Sequence, residues 1–223
     1  MTTRTIAVVT AGLSDPSSTS LLAERLAKET EAELRSRGDD VLVETVDLRP
    51  LAHALADNLL TGFAAGDLAK AQATVAGADA VIAVTPVFSA SYSGLFKTFF
   101  DVLEKDTLAG KPVLMAATAG TARHSLVLEH ALRPLFAYLH AVTVPTGVFA
   151  ASEDWGSASG GSGSGGSGSA NSRDGGDVRE GALSERVRRA AAELANLVAG
   201  RPALSRKPDP FGDVPDFESL LRG

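Results

Sequence analysis

The sequence predicts an α/β fold, a five-stranded parallel sheet with helices on both faces. Three observations predict it. Short β-branched runs alternate with amphipathic stretches from the first residues onward. Most of these runs are apolar on both faces, as strands buried inside a parallel sheet are. The intervals between them hold the crossover helices that parallel strands require.

The elements follow in order. Residues 5–10 form the first strand, and a helix follows with Leu22, Leu26, Thr30 and Leu34 on one face and Gly38 as its stop. Residues 41–46 form a second strand, more polar and so nearer an edge. Residues 50–66 are ambiguous, and a weak alanine-rich helix is expected over 67–77. Residues 80–84, Ala-Val-Ile-Ala-Val, carry the strongest buried-strand signal. A helix from Gly94 to Glu104 and a fourth strand over 112–117 come next. Leu128, Leu132, Leu135 and Leu139 keep helical spacing, with Pro134 expected to kink or divide that helix. Residues 141–144 and 147–150 read as the last strand and its extension, and a final helix carries Leu183, Val187, Ala191, Leu194 and Val198.

Residues 156–170 are nearly all Gly, Ser and Ala, so they bury too little apolar surface to offset their ordering entropy. A flexible loop is therefore expected over 156–176, inside one domain spanning 1–200. Residues 201–223 form an extended tail with four prolines, whose Phe211, Val214, Phe217, Leu220 and Leu221 suit docking on this subunit or on a neighbour.

Composition narrows the function. With 21 basic and 27 acidic residues the chain carries a net charge of -6, which disfavours nucleic acid and anionic lipid as partners. No apolar run approaches the ~20 residues that span a bilayer. The N-terminus runs straight into a strand, without the layout of a signal peptide. There is no cysteine, which excludes thiol redox chemistry and thiolate metal sites. His53, His124, His130 and His140 are scattered without ligand spacing. A cytoplasmic protein without a metal site is expected.

Ligands of such a sheet bind beyond the carboxyl ends of the strands, and three loops of unusual composition leave those ends. The first holds Gly12, Leu13, Ser14, Ser17, Ser18 and Thr19. Hydroxyls and N–H groups at a helix start make an anion site, although simple helix capping also uses Ser and Thr. The loop has neither a P-loop lysine nor the G-x-G-x-x-G fingerprint. The second follows the best strand and holds Pro86, Val87, Phe88, Ser89 and Ala90, then Tyr92 and Gly94. It offers aromatic faces and free N–H groups to a planar heterocycle, and fits an ordinary strand-to-helix loop equally well. The third holds Thr118, Ala119, Gly120 and Thr121, small residues that let a ligand approach the backbone, followed by Arg123 and His124.

These loops, in this order, carry a resemblance. Thr85-Pro86-Val87-Phe88-Ser89 with Ser91-Tyr92-Ser93-Gly94-Leu95-Phe96-Lys97 is similar to the T-P-x-[YF]-x-x-S-x-x-G-x-x-K motif of the NADPH-dependent FMN reductase family, of flavodoxin-like fold. Ser17-x-Thr19 resembles that family's phosphate-binding S-x-[NT]. Thr118 to Thr121 resembles its T-G-G-S/T loop, with Ala119 replacing the first glycine. Ser14 stands where many relatives carry arginine, and Ser89 where asparagine is common.

The resemblance covers residues 4–152 and continues through the helix near 183–199. It implies a three-layer sandwich with strand order 2-1-3-4-5, FMN and NADPH or NADH as cofactors, and hydride transfer from nicotinamide to flavin. Ser17, Ser18 and Thr19 would hold the phosphate, residues 86–90 one edge of the ring and residues 118–121 the other. No catalytic side chain is implied. Lys97, Asp101 and Glu104 read as a solvated or subunit-facing helix surface. The missing arginine implies FMN that exchanges as a substrate. The resemblance also implies a homodimer or homotetramer and, through an actinobacterial-type branch linked with luciferase-like flavin monooxygenases, a monooxygenase as recipient of reduced flavin. The apolar tail and Phe96, Phe99 and Phe100 suit a subunit interface or an intrachain core. A quinone or azo reductase with bound FMN, a flavodoxin-like electron carrier and a flavin-free interaction module are the rival readings.

Overall fold

The computed structural model describes residues 2–158 and 172–204, with backbone alone for 156–158 and 172–178. In chain order the elements are β1 (Thr3–Thr10), α1 (Ser18–Ser36), β2 (Asp40–Asp47), α2 (Ala52–Thr61), α3 (Gly66–Gly77), β3 (Ala80–Phe88), β4 (Ser91–Tyr92), α4 (Gly94–Asp101), β5 (Pro112–Ala119), α5 (Arg133–Tyr138), β6 (Val142–Thr143), β7 (Val148–Ala151) and α6 (Ser172–Ala199). The sheet runs β2-β1-β3-β5-β6, with β7 also on β5 and β4 on β3. All pairings are parallel except β3–β4. Register places Val8 beside Ile82, and Ile82 beside Leu114.

The predicted order 2-1-3-4-5 is recovered once the short hairpin strand β4 is set aside, but the described residues hold seven strands, not five. The expected last strand is split into β6 and β7 by Pro145 and Gly147. The helix expected to reach Glu104 ends at Asp101, and the ambiguous stretch 50–66 contains α2. Pro134 divides its helix as expected. It lacks the N–H that would bond the carbonyl four residues back, and residues Leu128–Leu132 before it wind as a wider π-helical turn.

Alternation along the strands divides the core. Ile6 and Val8 face α1 and α6, where they meet Leu22, Leu26, Leu34, Leu183, Val187 and Leu194. Ala7 and Val9 face α2 to α5, against Leu55, Val75, Phe96, Phe100 and Phe136. Phe96, Phe99 and Phe100 are fully buried within the chain, so they form core and not interface. Edge-to-face packing of Phe100 and Phe136, with centroids 5.2 Å apart, fixes α4 against α5. Lys97 pairs with Asp101 one turn on, at 2.7 Å, on the exposed side of α4.

The helix α6 begins at Ser172, within the 156–176 stretch expected to be a loop, and a 3-10 turn covers Ser152–Ala158. The remainder of that stretch lies outside the described residues, as do residues 205–223 of the expected tail with all five of its named apolar side chains. Among the described residues, no helix is long and apolar enough to cross a membrane.

A polar knot closes the amino ends of the strands. Asp79 accepts the N–H groups of Thr5 and Leu204, each at 2.8 Å. The buried Arg4 lies 3.7 Å from both Asp39 and Asp79 and donates to the carbonyl of Arg201. Arg201 in turn donates to the Gly110 carbonyl. Nearby, the Lys111 ammonium donates to the carbonyls of Val75 and Ala76 at 2.6 and 2.8 Å, in the last turn of α3. Burial lowers the Lys111 pKa to about 8, against the opposing pull of Asp79.

Candidate functional site

Strand order reverses between β1 and β3, so the crevice beyond their carboxyl ends is where an open sheet accepts a ligand. The three predicted segments leave β1, β3 and β5, three adjacent strands.

The first segment folds back tightly on the start of α1. Gly12 is buried there, and a Cβ added to it would lie 2.2 Å from Ser17 Oγ. Glycine is required by space and not by backbone angle. Ser17 caps α1, its Oγ accepting the Ser20 N–H at 3.3 Å. The Oγ1 of Thr19 shares a buried hydrogen bond of 2.8 Å with Thr118 Oγ1. Two of the predicted phosphate hydroxyls are thus committed to the protein. The exposed Ser14 and Ser18 hydroxyls are left, together with the first-turn N–H groups of Ser18 and Thr19, which a helix cannot satisfy internally. The first turn of α1 carries no acidic side chain to offset the positive end of its dipole.

The second segment is not the loop that composition suggests. Thr85, Pro86, Val87 and Phe88 continue β3, and a two-residue turn at Ser89 and Ala90 leads into β4. Both turn residues have positive φ, 48° and 64°. The turn is held from behind, since Thr85 Oγ1 accepts the Ser93 N–H at 3.0 Å and Ser93 Oγ caps α4 through the Phe96 N–H. Pro86 and Val87 are half-buried, while Phe88, Ser89 and Ala90 are exposed.

In the third segment, Thr118 pairs in register with Pro86 and is buried by its bond to Thr19. Ala119 is half-buried, and Gly120 and Thr121 are exposed. Arg123 and His124 lie exposed on the 3-10 turn Ala122–His124. Thr118 is therefore the residue that joins the three segments, through Thr19 on one side and Pro86 on the other.

A cleft of about 910 Å³ borders the first segment on its β2 side. Gly12, Ser14, Ser17 and Ser18 line it, and residues 86–90 and 118–121 do not. Its far walls carry Arg25, Arg49 and Trp155, which sequence reasoning did not select. Arg25 and Trp155 are 130 positions apart, and the guanidinium stands 5.0 Å above the indole ring. The available signal was that Trp155 is the single tryptophan of the chain, placed just before the Gly/Ser tract.

Comparison with known proteins gives concordant results. The sequence model of the family described as NADPH-dependent FMN reductase matches residues 4–156. The chain is 34% identical over 200 residues to an FMN reductase (NADPH) of Pseudomonas aeruginosa, covering 89% of this chain and 95% of that one. It is also 34% identical over 202 residues to the NADH-dependent FMN reductase SfnE of Pseudomonas putida, covering 90% and 96%. An oxidoreductase from Corynebacterium diphtheriae, solved by X-ray crystallography, is 40% identical and superimposes with a TM-score of 0.79 over 91% of this chain and all of that one. In fold alone, the chain is also similar to a flavodoxin, WrbA-like protein from Agrobacterium tumefaciens, at 17% identity and a TM-score of 0.54, over 91% of this chain and 100% of that one.

Proposed function

The chain belongs to the NADPH-dependent FMN reductase family, and on that premise we propose that residues 12–19 take the flavin phosphate while residues 86–90 and 118–121 flank the flavin ring. The protein is an oxidoreductase that uses FMN and a reduced nicotinamide nucleotide. The observation that carries the residue assignments is the convergence of the three segments on Thr118.

The segments suit the group. Open N–H groups and the Ser14 and Ser18 hydroxyls, at a helix whose first turn carries no acidic side chain, form an anion cradle, with the exposed Asp15 as the one carboxylate in the segment. Gly12 keeps that cradle narrow. Phe88 and the backbone of Ser89 and Ala90 offer a surface and polar edge to a planar ring. The chemistry supplied by bound flavin is acceptance of a hydride at its ring from nicotinamide, and it asks no acid, base or nucleophile of the protein. The residues bind and orient.

The cradle has no cation within residues 12–19, which favours an FMN that exchanges as substrate and leaves reduced. A flavin-dependent monooxygenase is the recipient this suits, and the cytoplasm, where reduced nicotinamides are supplied, is the setting. Residues 1–200 act as one domain, since α6 packs against α1 and the sheet, followed by the tail. Exposed Leu60, Phe63 and Tyr138, each more than 80% accessible or at that value, support association of copies into a homodimer or homotetramer. Phe88, Ala90, Gly120 and Thr121 are open to a covering neighbour as well.

The test is protein stripped of flavin, mixed anaerobically with NADH or NADPH and a large excess of FMN. Bleaching of FMN over many turnovers is expected. Reduction of a single tightly held equivalent, with turnover only on adding a quinone or azo acceptor, would replace the substrate reading. FMN binding without nicotinamide oxidation would remove the enzyme reading in favour of a carrier.

A further inference from the structure

We infer that Arg49 selects phosphorylated flavin, reaching from the end of β2 to pair with the phosphate held at residues 12–19. The inference rests on the phosphate reading of those residues.

Strand register sets Arg49 beside the cradle. Thr10 of β1 pairs with Asp47 of β2, and the Leu48 N–H donates to the Thr10 carbonyl at 3.0 Å. Continued two residues past that pair, the same register puts Arg49 against Gly12, about one strand spacing away. Alternation then sets the direction of the side chain. Val46 and Leu48 are buried on the face of the sheet that α2 to α5 cover. Asp47 and Arg49 therefore project to the opposite face, where α1 begins with Ser18. In agreement, Arg49 lines the same cleft as Gly12, Ser14, Ser17 and Ser18.

The backbone of Arg49 is anchored and its guanidinium is not. The Arg49 N–H donates to the Asp47 carboxylate at 3.1 Å, and the Leu51 N–H closes a turn onto the Leu48 carbonyl, also at 3.1 Å. Leu48 and Leu51 are buried on either side of it. The Arg49 side chain is exposed and has no hydrogen bond or ion pair among the described residues. Arg25, the other cation of the cleft, is already engaged by Glu180 at 3.3 Å and by the Trp155 ring. Arg49 is the cation left for a ligand.

Charge gives it a task. The cleft sets Asp15, Glu24, Asp47 and Glu180 against Arg25 and Arg49, and Asp15 lies within the cradle segment itself. A phosphate monoester adds roughly −2 at neutral pH, while a helix N-terminus offsets only about half an elementary charge. The planar fork of a guanidinium supplies the further positive charge and donates two N–H bonds to one phosphate. Riboflavin, the same ring without phosphate, gains nothing from it. Because Arg49 stands on exposed chain outside the cradle, water and salt compete for its bond. That suits a flavin that enters and leaves.

The test measures dissociation constants of FMN and riboflavin by flavin fluorescence quenching. Full-length wild type is compared with Arg49→Gln, Arg49→Lys and Arg123→Gln, the last on the turn after β5 and outside the cleft. At low salt, Arg49→Gln is expected to weaken FMN about tenfold, the scale of one hydrogen bond to a charged group. Riboflavin binding should stay unchanged. The FMN loss should shrink as salt is added, and Arg49→Lys, which keeps the charge without the fork, should restore part of it. Unchanged FMN binding in Arg49→Gln would overturn the inference. Equal weakening of FMN and riboflavin would overturn it too, making Arg49 a support of the fold. An equal FMN loss in Arg123→Gln would reduce Arg49 to one charge in a diffuse field, and would also overturn it. If wild type binds riboflavin as tightly as FMN, the phosphate reading falls first and takes the inference with it.

Discussion

The hydroxyls of Thr19 and Thr118, 99 residues apart in the chain, meet at 2.8 Å in a buried hydrogen bond. This bond ties the first turn of α1 to the end of β5, and so ties the proposed phosphate cradle to the proposed ring edge. Thr19→Val or Thr118→Val strands the partner hydroxyl away from water, at ~1–3 kcal/mol. The double variant strands neither and is expected to recover part of that loss. A urea-denaturation cycle measures the coupling, and flavin fluorescence should show weaker FMN binding in each single variant. Additive losses in stability would mean the two hydroxyls act separately.

Gly12 and Ser17 make a second coupled pair. Gly12→Ala places a methyl 2.2 Å from Ser17 Oγ and must displace the cap of α1. Ser17→Ala loses the same cap, ~1 kcal/mol, but also removes the obstructing oxygen. Gly12→Ala is therefore expected to cost less in the Ser17→Ala background than in wild type, by thermal unfolding. An equal cost in both backgrounds would place the strain elsewhere.

The turn at Ser89 and Ala90 stores strain that can be relieved. Both residues have positive φ, and neither is the Asn or Gly that two-residue hairpins favour there. Ala90→Gly is expected to stabilise the protein by ~0.5–1 kcal/mol, and Ser89→Asn to stabilise it in the same direction. Both side chains are exposed, so no packing is lost. A lower melting temperature in Ala90→Gly would contradict this account.

Lys111 makes stability depend on alkaline pH. Its folded pKa, about 8, is below its usual 10.5 because burial disfavours the charge. Between those values the unfolded chain binds more protons than the folded one, so stability rises with pH across that window. Below pH 8 both states are protonated, and the cost of burying the ammonium is fully present. Relative to Lys111→Met, wild type is expected to gain on the order of 2 kcal/mol from pH 8 to 10.5. Urea unfolding at three pH values reads the difference, and a flat difference would refute the assignment.

Local periodicity was enough to read the sheet and its covering helices. Leu22, Leu26, Thr30 and Leu34 announced a buried helix face and are buried. The ambiguity of 50–66 had a physical cause, because α2 buries only Leu55 and Asn58 and leaves Leu59 and Leu60 in the open, which blurs its period. The hairpin after β3 escaped because Ser91 and Tyr92 are only two residues, and Ser89-Ala90 lacks the usual turn signature. Composition drew attention to the hydroxyls of residues 14–19 but did not divide them between protein and ligand. That division depends on Thr118, and the Arg25–Trp155 contact depends on how α1 meets the chain after β7. Contacts across 99 or 130 positions leave no mark on a local pattern.

The knot at Asp79 has a practical consequence. Because Leu204 is fastened beneath the amino ends of the strands, the chain leaves the described structure at the pole opposite the loops after β1, β3 and β5. A surface or tag grafted at the start of β1, whose Thr5 shares the Asp79 clasp, would hold the molecule by its base, with the mouth turned outward. That attachment orients the protein for electrode or bead chemistry and leaves the crevice open.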